Sequence, residues 1–240
     1  MLECEYVRHS GGLLMVTRLI FIVLPLAILA GGLGSTARAA QLGPYVGGSY
    51  GITERDFGIE PFDDFFLNGF FPGTGFIVES HSSSLDTKDR GYMALIGYRL
   101  TAHLAIEGMF VDLGEMTYRA ATVGSFDDSD PFALDTKLVG KLSGIGLHVL
   151  GIWPINYRWE IYARGGVQFT SPKLGGRIDN VPLDFRPDSA TDLVGGVGIA
   201  MSMLEVYGLR LEYMRVFDAG ESGTAESDTD FLSLGFIVAF

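Results

Sequence analysis

Cysteine is almost missing from this chain. The single thiol, Cys4, lies ahead of the first apolar run, so a chain processed beyond it has no disulfide and no thiolate metal ligand. Long apolar stretches are equally scarce. After Leu19–Leu33 no run is long enough to form a membrane-crossing helix. Positive charge is in short supply too: residues 40–240 carry 27 Asp and Glu against 14 Lys and Arg, a net of −13. So acidic a chain repels phosphate backbones, which excludes nucleic acid as a partner. What remains is glycine, 33 of 240 residues, a high aromatic content and a mean hydropathy of +0.28. High hydropathy without a helical span fits apolar residues spread over alternate strand positions.

The start of the chain reads as an export leader. Arg18 precedes Leu19–Leu33, which Pro25 and Gly31-Gly32 interrupt, and Ser35-Thr36-Ala37-Arg38-Ala39-Ala40 follows. A basic start, an apolar middle and an Ala-x-Ala end define a signal peptide over residues 1–39, with Met15 a candidate true start. A membrane anchor would need a longer run.

Alternation dominates the rest. In Phe231–Phe240, residues Leu232, Leu234, Phe236, Val238 and Phe240 form an uninterrupted apolar face. Seven further segments repeat the theme, near 43–52, 90–100, 104–117, 138–153, 160–169, 191–202 and 207–217, with the last strand at 229–240. Short connections at 101–103, 154–159 and 203–206 alternate with long ones near 53–89, 118–137, 170–190 and 218–228. That asymmetry belongs to outer-membrane barrels. The expected fold is therefore all-β, an eight-stranded antiparallel up-and-down transmembrane barrel over 40–240. Parity sets Tyr92, Ile96, Tyr98, Ile106, Phe110, Ile145, Leu147, Val149 and Leu211 on the lipid face. It turns Arg99, Glu107, His148, Arg164, Arg210 and Glu212 into the bore. Eight strands leave room only for side chains, and charges buried there must pair, so these six are expected to plug the lumen as an ion-pair network. Tyr45, Tyr98, Trp153, Tyr157, Trp159, Tyr207 and Tyr213 at strand ends are expected at the lipid–water interface.

The chain resembles the OmpA-like transmembrane barrels. Pro44–Gly51 and Gly97–Leu100 match the first two strands. Leu104-Ala105-Ile106-Glu107-Gly108-Met109-Phe110-Val111-Asp112-Leu113-Gly114 is close to Leu-Ala-x-Glu-x-x-Tyr-x-Asp-Leu-Gly. Lys141–Leu147, Leu209–Tyr213 and Leu232–Phe240 match later strands. The resemblance implies a compact barrel without a peptidoglycan-binding domain, embedded among outer-membrane lipid and lipopolysaccharide. It also implies that Phe236, Val238 and Phe240 are read by the barrel-assembly machinery.

The long connections hold 19 of the 27 acidic residues and 7 of the basic ones. Solubility accounts for that bias; binding of divalent cations that bridge lipopolysaccharide phosphates is the functional alternative, with Asp127-Asp128-Ser129-Asp130 the candidate. Phe62, Phe65, Phe66 and Phe70 have the spacing of one helical face, with Phe71 and Phe76 close by, and Asp63 would point away from it. These rings make either a lid over the barrel mouth or a recognition surface. His81 and Ser83 form a His-x-Ser pair superficially like that of deacylase barrels, but they fall in a polar loop. The expected role is structural and interactive, without catalysis, metal or cofactor. A small-solute pore and a lipid A-modifying enzyme are the rivals.

Overall fold

The computed structural model describes residues 42–126, 129–179, 181–186, 188–203, 206–219 and 227–240. The expected signal peptide, 1–39, lies outside the described residues, as do Asp127 and Asp128 of the acidic run.

Among the described residues ten strands form, all in antiparallel pairs. They are β1 (Gly43–Arg55), β2 (Phe76–Asp86), β3 (Lys88–Thr101), β4 (Leu104–Phe126), β5 (Phe132–Pro154), β6 (Trp159–Ile178), β7 (Val181–Phe185), β8 (Ala190–Ser202), β9 (Tyr207–Ala219) and β10 (Ser227–Ala239). Eight of them close a ring, β1-β3-β4-β5-β6-β8-β9-β10, and β10 returns to β1 through the pair Tyr45–Ala239. Closure leaves no open edge within the ring, so its backbone groups are satisfied without water. β2 and β7 stand outside the ring, β2 against the upper part of β4 and β7 against the upper part of β6.

Two of the long connections are thus strands rather than loops. β4 and β5 stay paired from Leu104–Gly151 up to Gly124–Phe132, through most of the expected loop 118–137, and β6 runs to Ile178, well into 170–190. The alternation fades there because both faces meet polar surroundings or the cap described below. The ladder nevertheless persists because Thr, Val and Tyr suit a pleated surface. The segment 53–89 is also ordered. It holds α1 (Glu60–Asp64), a wide π-type turn over Phe65–Phe70, α2 (Phe71–Thr74) and β2.

Parity holds along the ring strands except at two bulges. One lies near the end of β9 at Phe217-Asp218, where the register to β10 shifts and Asp218 has φ +49°; the other lies within β4. Residues 105, 107, 109, 111 and 113 of β4 face inward; after Gly114, residues 116, 118 and 120 do. The register shifts between Asp112 and Glu115, and Gly114 has φ +75°. This is a bulge whose extra residue needs a left-handed backbone. The motif Asp112-Leu113-Gly114 builds it: Asp112 Oδ1 accepts the Gly114 N–H at 2.9 Å, and Asp89 Oδ2 accepts the Glu115 N–H at 2.6 Å.

Two cores result. One fills the bore, with Ala105, Leu150 and Ile152 toward the turns and Met93, Val111, Val194, Met214, Val216 and Phe231 toward the cap. The other lies beyond the ring, where Phe66, Phe71 and Phe76 pack against Tyr118, Ala120 and Leu138 on the inner face of the extended β4 and β5. The outer wall carries Tyr92, Ile96, Tyr98, Ile145, Leu147, Leu193 and Leu234 exposed, a surface that needs an apolar surround.

Candidate functional site

The bore holds a compact charged cluster. Glu107 on β4 faces Arg164 on β6, with Nη2 to Oε2 at 2.7 Å, and Arg210 on β9, with Nη1 to Oε1 at 2.5 Å. Arg164 also meets Glu212 on β9, Nε to Oε1 at 2.8 Å. Two cations and two carboxylates cancel, as buried charges require. Arg164 is central because it alone touches both acids. His148 approaches it through Nδ1, 3.2 Å from Nη1.

Two tyrosines complete the cluster, and both escaped the sequence reading. Tyr45 donates to Glu107 Oε1 at 2.7 Å, and Tyr162 donates to Glu212 Oε2 at 2.5 Å. Arg210 lies over both rings, 5.4 and 5.0 Å from their centroids, within cation–π range. Tyr45 is therefore a bore residue, not an interface aromatic. Its inward parity with Gly47 and Ser49 was the available signal. Tyr162 stands two residues before Arg164 on the same face, so parity could have found it as well. Glycines opposite make room. An added Cβ at Gly97 would lie 2.2 Å from the Tyr45 ring, and one at Gly198 would lie 2.4 Å from the Tyr162 ring.

Arg99 does not join this cluster. It sits at the turn end, where it meets Glu160 Oε2 at 2.9 Å and the Ala102 carbonyl at 2.8 Å. Glu160 is two residues before Tyr162 and was missed for the same reason. A cavity beside Arg210 and Glu212 measures about 10 Å³, room for about one water.

The phenylalanine segment divides differently from the helical reading. Phe66 and Phe71 are 1% exposed, whereas Phe65 is 60% and Phe70 37% exposed. The cause is the π-type turn, which takes more residues per turn than an α-helix. The buried face therefore runs Phe62, Phe66, Phe71 in steps of four and five. Phe62 and Phe66 stack on Tyr118, with centroids 4.9 and 5.8 Å away.

Asp63 does not point away from the cap core; it fastens the cap to the sheet. Its carboxylate accepts from Tyr118 OH at 2.8 Å and Ser83 Oγ at 2.8 Å, and it lies 3.2 Å from His81 Nε2. His81 Nδ1 is 2.8 Å from Thr122 Oγ1. His81 and Ser83 thus belong to β2, not to a loop, and Ser83 is turned to Asp63 rather than to His81. A nucleophile needs its base within hydrogen-bond reach and a path for substrate. Thr122, which has the base, is fully buried.

Partial burial would raise the Asp63 carboxyl, but bonds from Tyr118, Ser83 and His81 outweigh it and hold it below the ordinary value of 3.8. A depressed folded value means the clip contributes fully above that ordinary value and is lost as pH falls through the folded one. Proteolysis of residues 57–75 in the folded barrel should accordingly be slow at pH 6 and accelerate below pH 4. Asp63→Asn should be fast at pH 6 and lose most of the pH dependence. Equal rates for the two proteins at pH 6 would remove Asp63 from this role.

Phe236 and Val238 lie on the outer wall of β10 by the ring closure, and Phe240 follows its last residue, its N–H donating to the Pro44 carbonyl at 3.0 Å. Phe236 and Phe240 are exposed, and Phe236 stacks on Tyr207 with centroids 5.6 Å apart.

The sequence pattern of the outer membrane protein beta-barrel domain matches residues 23–240. Outer membrane protein A of Serratia marcescens is 28% identical over 223 residues, which cover 90% of this chain and 55% of that protein. The chain thus spans about half the length of that relative. The crystal structure of Neisserial surface protein A is similar with a TM-score of 0.50 and 14% identity, over 82% of this chain and 97% of that one.

Proposed function

Because the chain belongs to the outer membrane protein β-barrel domain family and so stands in the outer membrane of a Gram-negative cell, we propose that it is a closed barrel carrying a folded surface cap, with a structural and interactive role. The observation that carries this reading is the network across the bore. Glu107, Arg164, Arg210, Glu212, Tyr45 and Tyr162 come from β1, β4, β6 and β9, strands on opposite sides of the ring. Apolar layers lie above and below them. Opening a path would strip these charges of their partners, which costs about 3–5 kcal/mol each.

In outer-membrane barrels the short turns face the periplasm and the longer connections face the outside. The cap then meets the exterior. It presents Phe65 and Phe70, with Phe126 and Phe132 clustered against Phe76, centroids 5.2 and 5.5 Å away. Exposed aromatic patches of this kind serve contact. The same cap argues against a lipid A-modifying enzyme, since its histidine spends both ring nitrogens on Asp63 and the buried Thr122.

Planar-bilayer recording tests the closed bore. The refolded full chain should give no steady single-channel current, only brief openings. A stable conductance in every insertion event would establish the small-solute pore instead.

A further inference from the structure

The outer face of β4, β5 and β6, just beyond the lipid-facing rows, gathers five cations. Arg119 on β4 is directly opposite Lys137 on β5, and Lys137 is directly opposite Arg177 on β6. Four residues nearer the turns, Glu115, Lys141 and Lys173 form a second row across the same strands. All six side chains are exposed. Neighbouring strands lie ~4.8 Å apart, so the first row sets three positive groups across ~10 Å.

Like charges directly opposite on a sheet are destabilising. Lys141 is relieved by Glu115 at 2.5 Å. Arg119, Lys137, Lys173 and Arg177 form no ion pair among the described residues. Asp86, opposite Thr117, Asp135, opposite Ala121, and Asp184, opposite Gly175, flank the rows without closing on them. A chain of net charge −12 has carboxylates enough to interleave. Here it stacks cations instead, so the neutralising anion comes from outside the chain.

The position says which anion. Ile145 and Phe169, exposed and directly opposite each other, lie four residues below Lys141 and Lys173. Four strand residues span ~13 Å, or ~10 Å of height at the usual barrel tilt. The lower row therefore stands at the edge of the hydrocarbon layer and the upper row another ~10 Å out. Both look sideways into the leaflet rather than up from the cap. A soluble polyanion would approach across the acidic cap end, which repels it. We infer that the outer face of β4–β6 binds the phosphate groups of lipopolysaccharide in the surrounding leaflet, Lys141 and Lys173 holding those nearest the acyl chains and Arg119, Lys137 and Arg177 those on the sugars above. Arginine forks and lysine ammonium groups both suit phosphate oxygens. Such a site would tie the cap to the envelope, beyond the closed-barrel role.

The test uses the full chain, refolded in lipopolysaccharide-free micelles and titrated with purified lipopolysaccharide. The combined variant Arg119→Gln, Lys137→Gln, Arg177→Gln is compared with Arg158→Gln, an exposed arginine at the turn end. Heat-modifiability on a gel confirms closure in each. The triple variant should bind at least about ten-fold more weakly, from the loss of several charge-assisted bonds. The control should be unchanged, and dephosphorylated lipopolysaccharide should bind the wild type at least as weakly as the intact form binds the triple variant, since it forfeits the contacts of Lys141 and Lys173 as well. Without lipopolysaccharide, the triple variant should unfold at the same or a higher denaturant concentration, since repulsion is removed. Wild-type affinity in the triple variant would overturn the inference. So would indifference to phosphate, or displacement of lipopolysaccharide by an equal concentration of a soluble sulfated polysaccharide.

Discussion

Arg164→Ala should destabilise the barrel more than any other single change in the bore. Arg164 contacts Glu107 and Glu212 together, and both its own side chain and that of Glu107 are fully buried. Without it, Glu107 keeps Arg210 and Tyr45, but Glu212 keeps only Tyr162. One carboxylate is then buried with no cation, a loss of about 3–5 kcal/mol. Arg210→Ala should cost less, since Glu107 retains Arg164 and Glu212 is untouched. Double variants separate pairing from packing. Arg164→Met with Glu212→Gln removes one charge of each sign and preserves volume. It should recover most of the loss, because an apolar replacement of a whole buried pair is often near neutral. Unfolding midpoints in urea with lipid or detergent present provide the measurement. A wild-type midpoint for Arg164→Ala would mean that water reaches these charges and that the bore is not closed by them. The same variant should raise the frequency of current openings.

The two-residue period made the bore legible from sequence because it survives wherever one wall meets lipid. Glu107, Arg164, Arg210 and Glu212 could be placed together by parity alone, without knowledge of which strands face each other. The period also pointed to Tyr45, Glu160 and Tyr162, yet aromatic character at a strand end was given more weight than parity for Tyr45. Partner identity was not legible. Arg99 faces inward as expected but meets Glu160 at the turn end, a matter of height along the barrel that alternation does not encode.

Beyond the lipid the signal weakens for a physical reason. Arg119 to Phe126 have no apolar surround on one side to enforce contrast, so a paired ladder reads as a loop. Gly114 adds a further obstacle. Counting straight through it would turn Tyr118 outward, whereas the bulge brings Tyr118 to Phe62, Phe66 and Asp63. The cap helix failed in a similar way, because three-and-four spacing presumes an α-helix and the backbone widens over Phe65–Phe70. The basic rows were present in the sequence as scattered residues. Only the β4–β5–β6 register aligns them.

Gly97→Val should displace Tyr45 from Glu107 and cost nearly as much as losing the tyrosine. Gly97 is directly opposite Tyr45, and a Cβ there would fall 2.2 Å from the ring. A contact that close forces the ring to swing away or the strands to part, and overpacking of this kind costs about 1–3 kcal/mol. Displacement also removes the 2.7 Å bond to Glu107 Oε1 and leaves the ring off the Arg210 guanidinium, roughly 1–3 kcal/mol more for a buried charged acceptor. Tyr45→Phe isolates that second contribution, since it keeps the ring and removes only the hydroxyl. The decisive comparison is the double variant. With Tyr45→Ala in place, the clash has no partner, and Gly97→Val should be neutral or mildly favourable because valine suits a strand better than glycine. Full additivity of the two substitutions in urea unfolding would mean that Gly97 is not the space that admits Tyr45. A large rescue would establish that the glycine is held open for the ring, and that the tyrosine in turn braces Glu107 between the two arginines.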